Sequence, residues 1–500
     1  MLRQQAGVRF HVCFSRIFAA FTYASAFIKK FFGNISFVVL LNLLVKPGWV
    51  VVENLVQDRL GHAAFGTFTA LSAWTLIIAS VSDLGTTQLM TKRVAASPDF
   101  LPEYFPTLLP LKGWLMAVFL GITVAVGAVL GYRGHVLLLL ALIGAGLLLT
   151  QYTQFLRGAL QAHQRFNTDA VLSILEKALL LLMVLGLLPI GLTLDRYVGA
   201  RSAAVLFTFV VLYGLVSRLY GRVRYRLRWD HARTLLRDSM PFALIALLYG
   251  LNERVDMGML ERLVSAKEAS YYAGAYRWVD AVMMYLWTVL PLFFAKFALA
   301  THRREEQQEL LWFGQRVVTV PLLFVCAFVL FRGEVLFWQF THSSPEELGR
   351  MTLCLKILFV NVLVHAFFAI YSTLLTSTSQ ERPVSWLVAG SIALNVGLNF
   401  VLLPRYGAVA AAVNTLLCAV FVSVGYLWLV RKQAGVAIPW RVLAQLLLAF
   451  GLLCGTFLGL RLLIDQWLIE SVLAGIGFVG ILFLTNIVRV AELRKLLKRG

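Results

Sequence analysis

The sequence predicts an all-α, polytopic membrane protein of about fourteen transmembrane helices, built as two parallel six-helix bundles plus two extra C-terminal helices. Three observations predict it. The 500 residues are 60% hydrophobic and carry long apolar stretches along their whole length. Lysine and arginine crowd into every second gap between those stretches. Short motifs from the first half return in the same order in the second.

An apolar run of about 20 residues spans the ~30 Å hydrocarbon core as a helix. In lipid, a helix is one of two ways to satisfy every backbone N–H and C=O. In chain order the spans fall at 35–54, 65–82, 111–131, 136–156, 168–190, 198–217, 240–261, 271–295, 311–331, 351–374, 384–403, 407–430, 442–464 and 469–488. The first 30 residues are a cytoplasmic arm. Arg9, Arg16, Lys29 and Lys30 interrupt its apolar part, and no small-residue cleavage site follows an unbroken core. It reads as an interfacial helix or as an overlong start. Residues 31–220 form the first bundle, 221–239 a basic cytoplasmic tether, 240–431 the second bundle, and 432–500 the last two helices with a basic tail.

Counting cations in alternate gaps, with those near span ends given to the adjoining gap, puts 29 on one side and 10 on the other, with six more inside spans. The positive-inside rule then places both termini in the cytoplasm, as an even number of spans requires. The net charge of +20 is therefore mostly topological signal and attraction to anionic lipid. The cations are spread over loops instead of lining one aromatic-studded face, so no nucleic-acid partner is expected. In the tether, Arg222, Arg226, Arg233 and Arg237 alternate with Leu227, Trp229, Leu235 and Leu236, as in an interfacial helix.

Enzyme chemistry is missing from the sequence. The cysteines (Cys13, Cys326, Cys354, Cys418, Cys454) have no pairing or metal spacing. No histidine has a His or Cys partner three or four residues away, so no metal or other cofactor is expected. There is no Gly-Lys-Ser/Thr phosphate loop and no Gly-x-Ser-x-Gly elbow. The loops are too short for a soluble catalytic domain. A solute pathway without an ATPase remains, which is a secondary transporter and not an enzyme.

The repeat has an offset of roughly 208–216 residues. Phe65-Gly66-Thr67-Phe68 has its counterpart in Ala273-Gly274-Ala275-Tyr276. Leu188-Pro189 followed by Arg196-Tyr197-Val198-Gly199-Ala200 returns as Leu403-Pro404-Arg405-Tyr406-Gly407-Ala408, and Ala203-Ala204-Val205 as Ala411-Ala412-Val413. Spans one to six thus read as duplicated in seven to twelve. Six being even, both copies enter the membrane in the same direction, and a substrate cavity is expected between them.

Several stretches resemble the polysaccharide (oligosaccharide) flippase family of the multidrug/oligosaccharidyl-lipid/polysaccharide exporter superfamily. They are Leu60-Gly61-His62-Ala63-Ala64-Phe65-Gly66, Ser82-Asp83-Leu84-Gly85, Lys92-Arg93-Val94-Ala95 and Phe155-Leu156-Arg157-Gly158-Ala159-Leu160-Gln161-Ala162. The best match joins Pro241-Phe242-Ala243-Leu244, Tyr249-Gly250, Arg254-Val255-Asp256 and Tyr271-Tyr272-Ala273-Gly274-Ala275-Tyr276-Arg277. The resemblance implies export of an undecaprenyl-diphosphate-linked oligosaccharide across the bacterial inner membrane, for O-antigen of lipopolysaccharide, capsule or exopolysaccharide. It implies lipid-linked oligosaccharide and membrane lipid as partners, beside a polysaccharide polymerase and glycosyltransferases. Alternatives on the same fold are a peptidoglycan-precursor flippase and a cation-coupled multidrug exporter.

A glycan diphosphate cannot cross hydrocarbon unaided, and an ionisable residue at span depth costs about 2.5–3.5 kcal/mol on insertion scales. Such residues therefore need a reason. Lys46 precedes Pro47 and Gly48 in span one, where a kink and a polar pocket are expected together. Glu53 lies two turns on. In span seven, Tyr249, Asn252, Glu253 and Asp256 form one polar stripe, and Arg254 points about 160° away from Asp256 at about 100° per residue. Arg254, Lys46 and Lys177 are the candidate substrate ligands, because cations, and guanidinium above all, match phosphate oxygens. Asp256, Glu53 and Glu176 are the candidate ion-coupling acids; an interhelical hydrogen bond is the structural alternative for Asp256. Arg277 and Asp280, three apart, are expected to neutralise one another. Asn395 and Asn399 are expected to glue helices together.

The topology predicts that a cysteine at Arg228 stays unlabelled when intact cells meet a membrane-impermeant thiol reagent. Labelling from outside would invert it.

Overall fold

The computed structural model describes residues 48–82, 100–162, 166–220, 233, 247–248, 250–300, 303–378, 380–434 and 436–488. They form helices with no strand among them. In chain order these are α1 (48–60), α2 (His62–Ser82), α3 (Phe100–Val129), α4 (Gly134–Ala162), α5 (Phe166–Leu187), α6 (Leu194–Tyr220), α7 (250–263), α8 (Ala266–Leu299), α9 (Arg304–Arg332), α10 (Pro345–Ser377), α11 (Glu381–Leu429), α12 (Trp440–Arg461) and α13 (Trp467–Leu484). Ten stretches among the described residues are long and apolar enough to cross a membrane. Large apolar side chains such as Trp114, Leu182, Trp386 and Ile476 stand exposed on their outer faces, as lipid-facing residues do. Spans one and seven lie partly outside the described residues, and the arm at 1–30 and most of the tether wholly so.

Local sequence sets the helix ends. Ser265 caps α8 by accepting from Glu268 N at 3.3 Å. Ser344 and Glu347 form a reciprocal capping box on α10, with Pro345 in its first turn. The expected gap between spans eleven and twelve is instead a bend within α11. Gly407 takes φ 58° and ψ −137° there, a conformation open to glycine at no steric cost. The Glu268 carboxylate accepts from Ala408 N at 2.7 Å, serving the donor that the bend strands.

The two halves meet through their inner helices. α1 meets α8 through Arg277, whose guanidinium donates to Asn54 and Gln57. α2 packs along α8 and reaches α7, where the Trp74 indole covers Gly258. His62 and Ser270 hydrogen-bond at 3.2 Å, and they stand 208 residues apart, the offset of the repeated motifs. Residues equivalent under a two-fold axis can touch only on that axis, so this contact suits the duplication.

The last two helices, α12 and α13, lie against α9, where Leu323, Ala327, Leu446, Phe457 and Phe478 share a core. A buried ion pair fastens them. Arg332 Nε donates to Glu470 Oε2 at 2.6 Å, and Glu470 is fully buried. Arg461 Nη1 donates to the Phe331 carbonyl at 3.0 Å beside it.

A Cβ added at Gly66 would fall 1.6 Å from the Ala266 carbonyl oxygen, whereas one at Gly121 meets nothing within 4 Å. Overpacking a tight contact costs about 1–3 kcal/mol. Gly66→Ala is expected to lower the melting temperature of the purified protein in detergent, while Gly121→Ala leaves it unchanged or higher. Equal melting curves for the two variants would show that α2 and α8 do not need this approach.

Candidate functional site

A cavity of about 260 Å³ lies between the halves. Its charged lining comes from five helices: Glu53 on α1, Lys177 on α5, Arg201 on α6, Arg254 on α7, and Arg277 and Asp280 on α8. Phe65, Phe68 and Met257 add an apolar wall. Among the described residues of its wall, four side chains are cationic and two are carboxylates. Arg254 Nη2 donates to Asp280 Oδ2 at 3.0 Å and lies over the Tyr276 ring at 5.5 Å. Glu53 is shared. Its Oε1 lies 3.5 Å from Arg201 Nη1 and its Oε2 lies 3.5 Å from Arg277 Nε. Arg277 is 8% exposed and its guanidinium sits 4.7 Å from the Phe65 ring.

The cavity is sealed where α1 ends and α2 begins. Gln57 Nε2 donates to the Ser270 carbonyl at 2.9 Å and hydroxyl at 2.8 Å, and His62 Nε2 meets Ser343 Oγ at 2.9 Å. Beyond them, Asp58 accepts from His342 N at 2.9 Å and from the Thr341 hydroxyl at 3.1 Å, with His342 Nδ1 2.7 Å away. Burial pushes the Asp58 carboxyl up, and the donors of His342 and Thr341 outweigh it, so the group sits below its ordinary value. Across the same rim, Tyr132 donates to Glu261 at 2.8 Å while the Arg262 guanidinium stacks 3.5 Å above its ring.

A second cavity of about 180 Å³ lies inside the second half, between α7, α8, α10 and α11, with Glu253, Asp280, His365, Asn395 and Thr415 on its walls. Next to it, Asp256 is 3% exposed. It accepts from Asn399 Nδ2 at 2.6 Å, from Thr415 Oγ1 at 3.0 Å and from the Tyr272 hydroxyl at 3.1 Å. Asn399 is itself tied to Asn395 at 2.9 Å and to Asn414 at 2.8 Å. Among the described residues no ion pair to Asp256 occurs, so a buried carboxylate stands amid neutral donors. Such a group calls for a proton or a small cation.

Of the residues singled out in the sequence, Arg254, Lys177 and Glu53 come together in the central cavity. Arg254 and Asp256 do face opposite ways, towards the central cavity and the α11 cluster. Glu176 is half-buried and does not line the cavity. Lys46, Tyr249 and Asp83 lie outside the described residues. The expected Arg277–Asp280 pair does not form: Asp280 takes Arg254 and Arg277 takes Glu53, because each finds a better-placed partner across the helix interface than along its own helix. Arg201 and Arg277 join the site beside Arg254, Lys177 and Glu53. Arg201 sits near the start of span six, where a cation reads as part of the preceding gap, and its place in the repeat holds Val409 in the second half.

A sequence model of the family described as polysaccharide biosynthesis protein matches residues 31–293. No curated protein matches the chain. Among solved structures, the lipid II flippase MurJ in its inward closed conformation superposes with a TM-score of 0.71, at 11% identity over 90% of this chain and all of that one. An inward-facing multidrug resistance MATE transporter of the MOP superfamily gives 0.62, at 16% identity over 79% of this chain and 95% of its own. A MOP superfamily transporter from Pyrococcus furiosus, described as having a binding pocket of reverse polarity, gives 0.53, at 16% identity over 79% and 92%.

Arg254 and Asp280 are 21% and 29% exposed. Breaking a fully buried pair costs about 3–5 kcal/mol, and water in the cavity should reduce that to about 1–3 kcal/mol. Arg254→Met and Asp280→Leu are each expected to lower the melting temperature, and the double change to recover much of the loss. Additive losses in that cycle would mean the two charges do not depend on one another.

Proposed function

Because the chain belongs to the polysaccharide biosynthesis protein family and has the fold of a MOP superfamily membrane transporter, we propose that it flips an undecaprenyl-diphosphate-linked oligosaccharide across the bacterial inner membrane. The cargo then feeds surface polysaccharide assembly, as O-antigen, capsule or exopolysaccharide. One observation carries the reading: among the described residues, three arginines and two acids drawn from both halves line one cavity, an excess of guanidinium donors for a diphosphate. Arginine fits phosphate oxygens two at a time, and low-dielectric walls strengthen each contact. A cavity of that sign suits a cationic drug poorly, which weighs against the multidrug exporter. The likeness to the lipid II flippase favours a peptidoglycan precursor as second reading, since that cargo offers the same diphosphate.

With both termini cytoplasmic, as the cation count implies, the sealed end faces the periplasm and the cavity takes its cargo from the cytoplasmic side. Rocking of residues 31–220 against 240–431, two halves related by an axis along the membrane normal, then exchanges access. The inside-negative potential pushes an anionic head group outward by about 2.3 kcal/mol per charge per 100 mV. Asp256 is the site for a coupling proton or Na⁺, its carboxylate reached by the Asn399 amide and the Thr415 and Tyr272 hydroxyls. Lys46 on span one and Arg254 on span seven, 208 residues apart, are the paired cations of the two halves.

Arg254→Ala, Lys177→Ala and Lys46→Ala should each impair export and raise lipid-linked glycan on the cytoplasmic face, with the protein still inserted and abundant. Arg254→Lys should recover only part of the activity, because the bidentate fork is lost. Asp256→Asn should remove any dependence on the coupling cation. Normal surface polysaccharide in the Lys46→Ala, Arg254→Ala double mutant would return both residues to structural roles. Accumulation of peptidoglycan precursor on depletion of the protein would select the second reading.

A further inference from the structure

Glu53 occupies an unusual position. One carboxylate serves two arginines, Arg201 from the first half and Arg277 from the second, each at 3.5 Å. Charge-assisted hydrogen bonds normally close to about 2.7–2.9 Å, so both guanidinium groups are loosely held by this partner. It stands on the cavity wall, 17% exposed. Arg277 is also bound on its far side, where it donates to Asn54 Oδ1 and Gln57 Oε1. Gln57 then donates to Ser270, and the Ser270 hydroxyl meets His62, which reaches Ser343. Gly274 keeps this route open: a Cβ there would lie 3.1 Å from Gln57 Oε1. A continuous file of polar side chains thus runs from Glu53 in the cavity to the seal.

We propose that Glu53 is a tethered stand-in for the phosphate of the cargo, and that its displacement from Arg201 and Arg277 is the event that unlocks the seal. The inference rests on the reading of the cavity as a site for an anionic lipid head group. A diphosphate brings more charge and more acceptor oxygens than one carboxylate, and it satisfies both guanidinium groups bidentately. Arg277 moves toward it and leaves Asn54 and Gln57. Gln57 then loses its hold on the Ser270 contact between the halves. Without cargo, Glu53 supplies the negative charge that keeps Arg277 in its locking place, so an empty protein stays shut. Arg201 is on this account a substrate ligand, and Arg277 both ligand and transmitter.

The test uses the full-length protein in lipid nanodiscs, its native cysteines replaced, with spin labels at Arg133→Cys and Lys267→Cys on opposite sides of the rim. Undecaprenyl diphosphate is the probe and uncharged undecaprenol the control. In the wild type, the diphosphate is expected to lengthen the distance between the labels, and undecaprenol to leave it unchanged. Glu53→Gln should give the long distance at least tenfold lower in lipid, or without any. Gln57→Leu, which leaves the cavity arginines in place, should bind the diphosphate within a fewfold of wild type while its rim distance no longer changes with it. A wild-type rim that stays closed with diphosphate measurably bound overturns the inference and leaves the substrate reading intact. So does a Glu53→Gln protein that needs as much lipid as wild type. Absence of any diphosphate binding overturns both. Should Glu53→Gln fail to fold, the wild-type contrast between diphosphate and undecaprenol decides alone.

Discussion

A charge held at membrane depth must find its counter-charge inside the protein, because lipid offers none. In this chain one of the charged contacts at the central cavity crosses the boundary between the halves. Arg277 belongs to α8 and is satisfied by Glu53, Asn54 and Gln57 of α1. The same side chains that neutralise charge therefore also bind one half to the other, and the halves cannot separate at that point without rearranging them. Packing follows this constraint. Small residues stand where the inner helices approach, so that Gly66 meets the Ala266 backbone and Gly258 lies under Trp74.

The two cavities divide the polar chemistry by sign. Arginines dominate the one between the halves, whereas the one within the second half has Glu253, His365 and neutral amides, with the Asp256 carboxylate beside it. α7 separates them and presents a different residue type to each. Asp280 lines both, so a change of charge in one cavity is felt in the other through the Arg254 contact. That arrangement follows from the step of about 100° per residue on a helix, which sets Arg254 and Asp256 back to back.

How far the sequence could be read differs from residue to residue. Apolar length and cation alternation reveal a multi-pass helical protein because both are local properties. The opposite facing of Arg254 and Asp256 is legible for the same reason. The Arg277–Asp280 expectation failed because a neighbour three residues along is always visible in sequence, while Glu53, over two hundred residues away, is not. The Leu403-Pro404 break read as a loop; it is a bend, since Glu268 from another helix serves the freed Ala408 amide. Arg201 escaped notice because a cation near a span end looks like topological signal until its neighbours are known. Lys46 lies outside the described residues.

The Arg332–Glu470 pair has a bearing on how the protein is made. Arg332 leaves the ribosome 138 residues before its partner, roughly 7–30 s at about 5–20 residues per second. During that interval the arginine waits at the membrane with its counter-charge not yet translated. Biogenesis must therefore shelter it, near the lipid head groups or within the insertion machinery, until the final helix arrives. Arrival of α13 is then the step that gives Arg332 its counter-charge, so a chain lacking that helix carries an uncompensated arginine on α9.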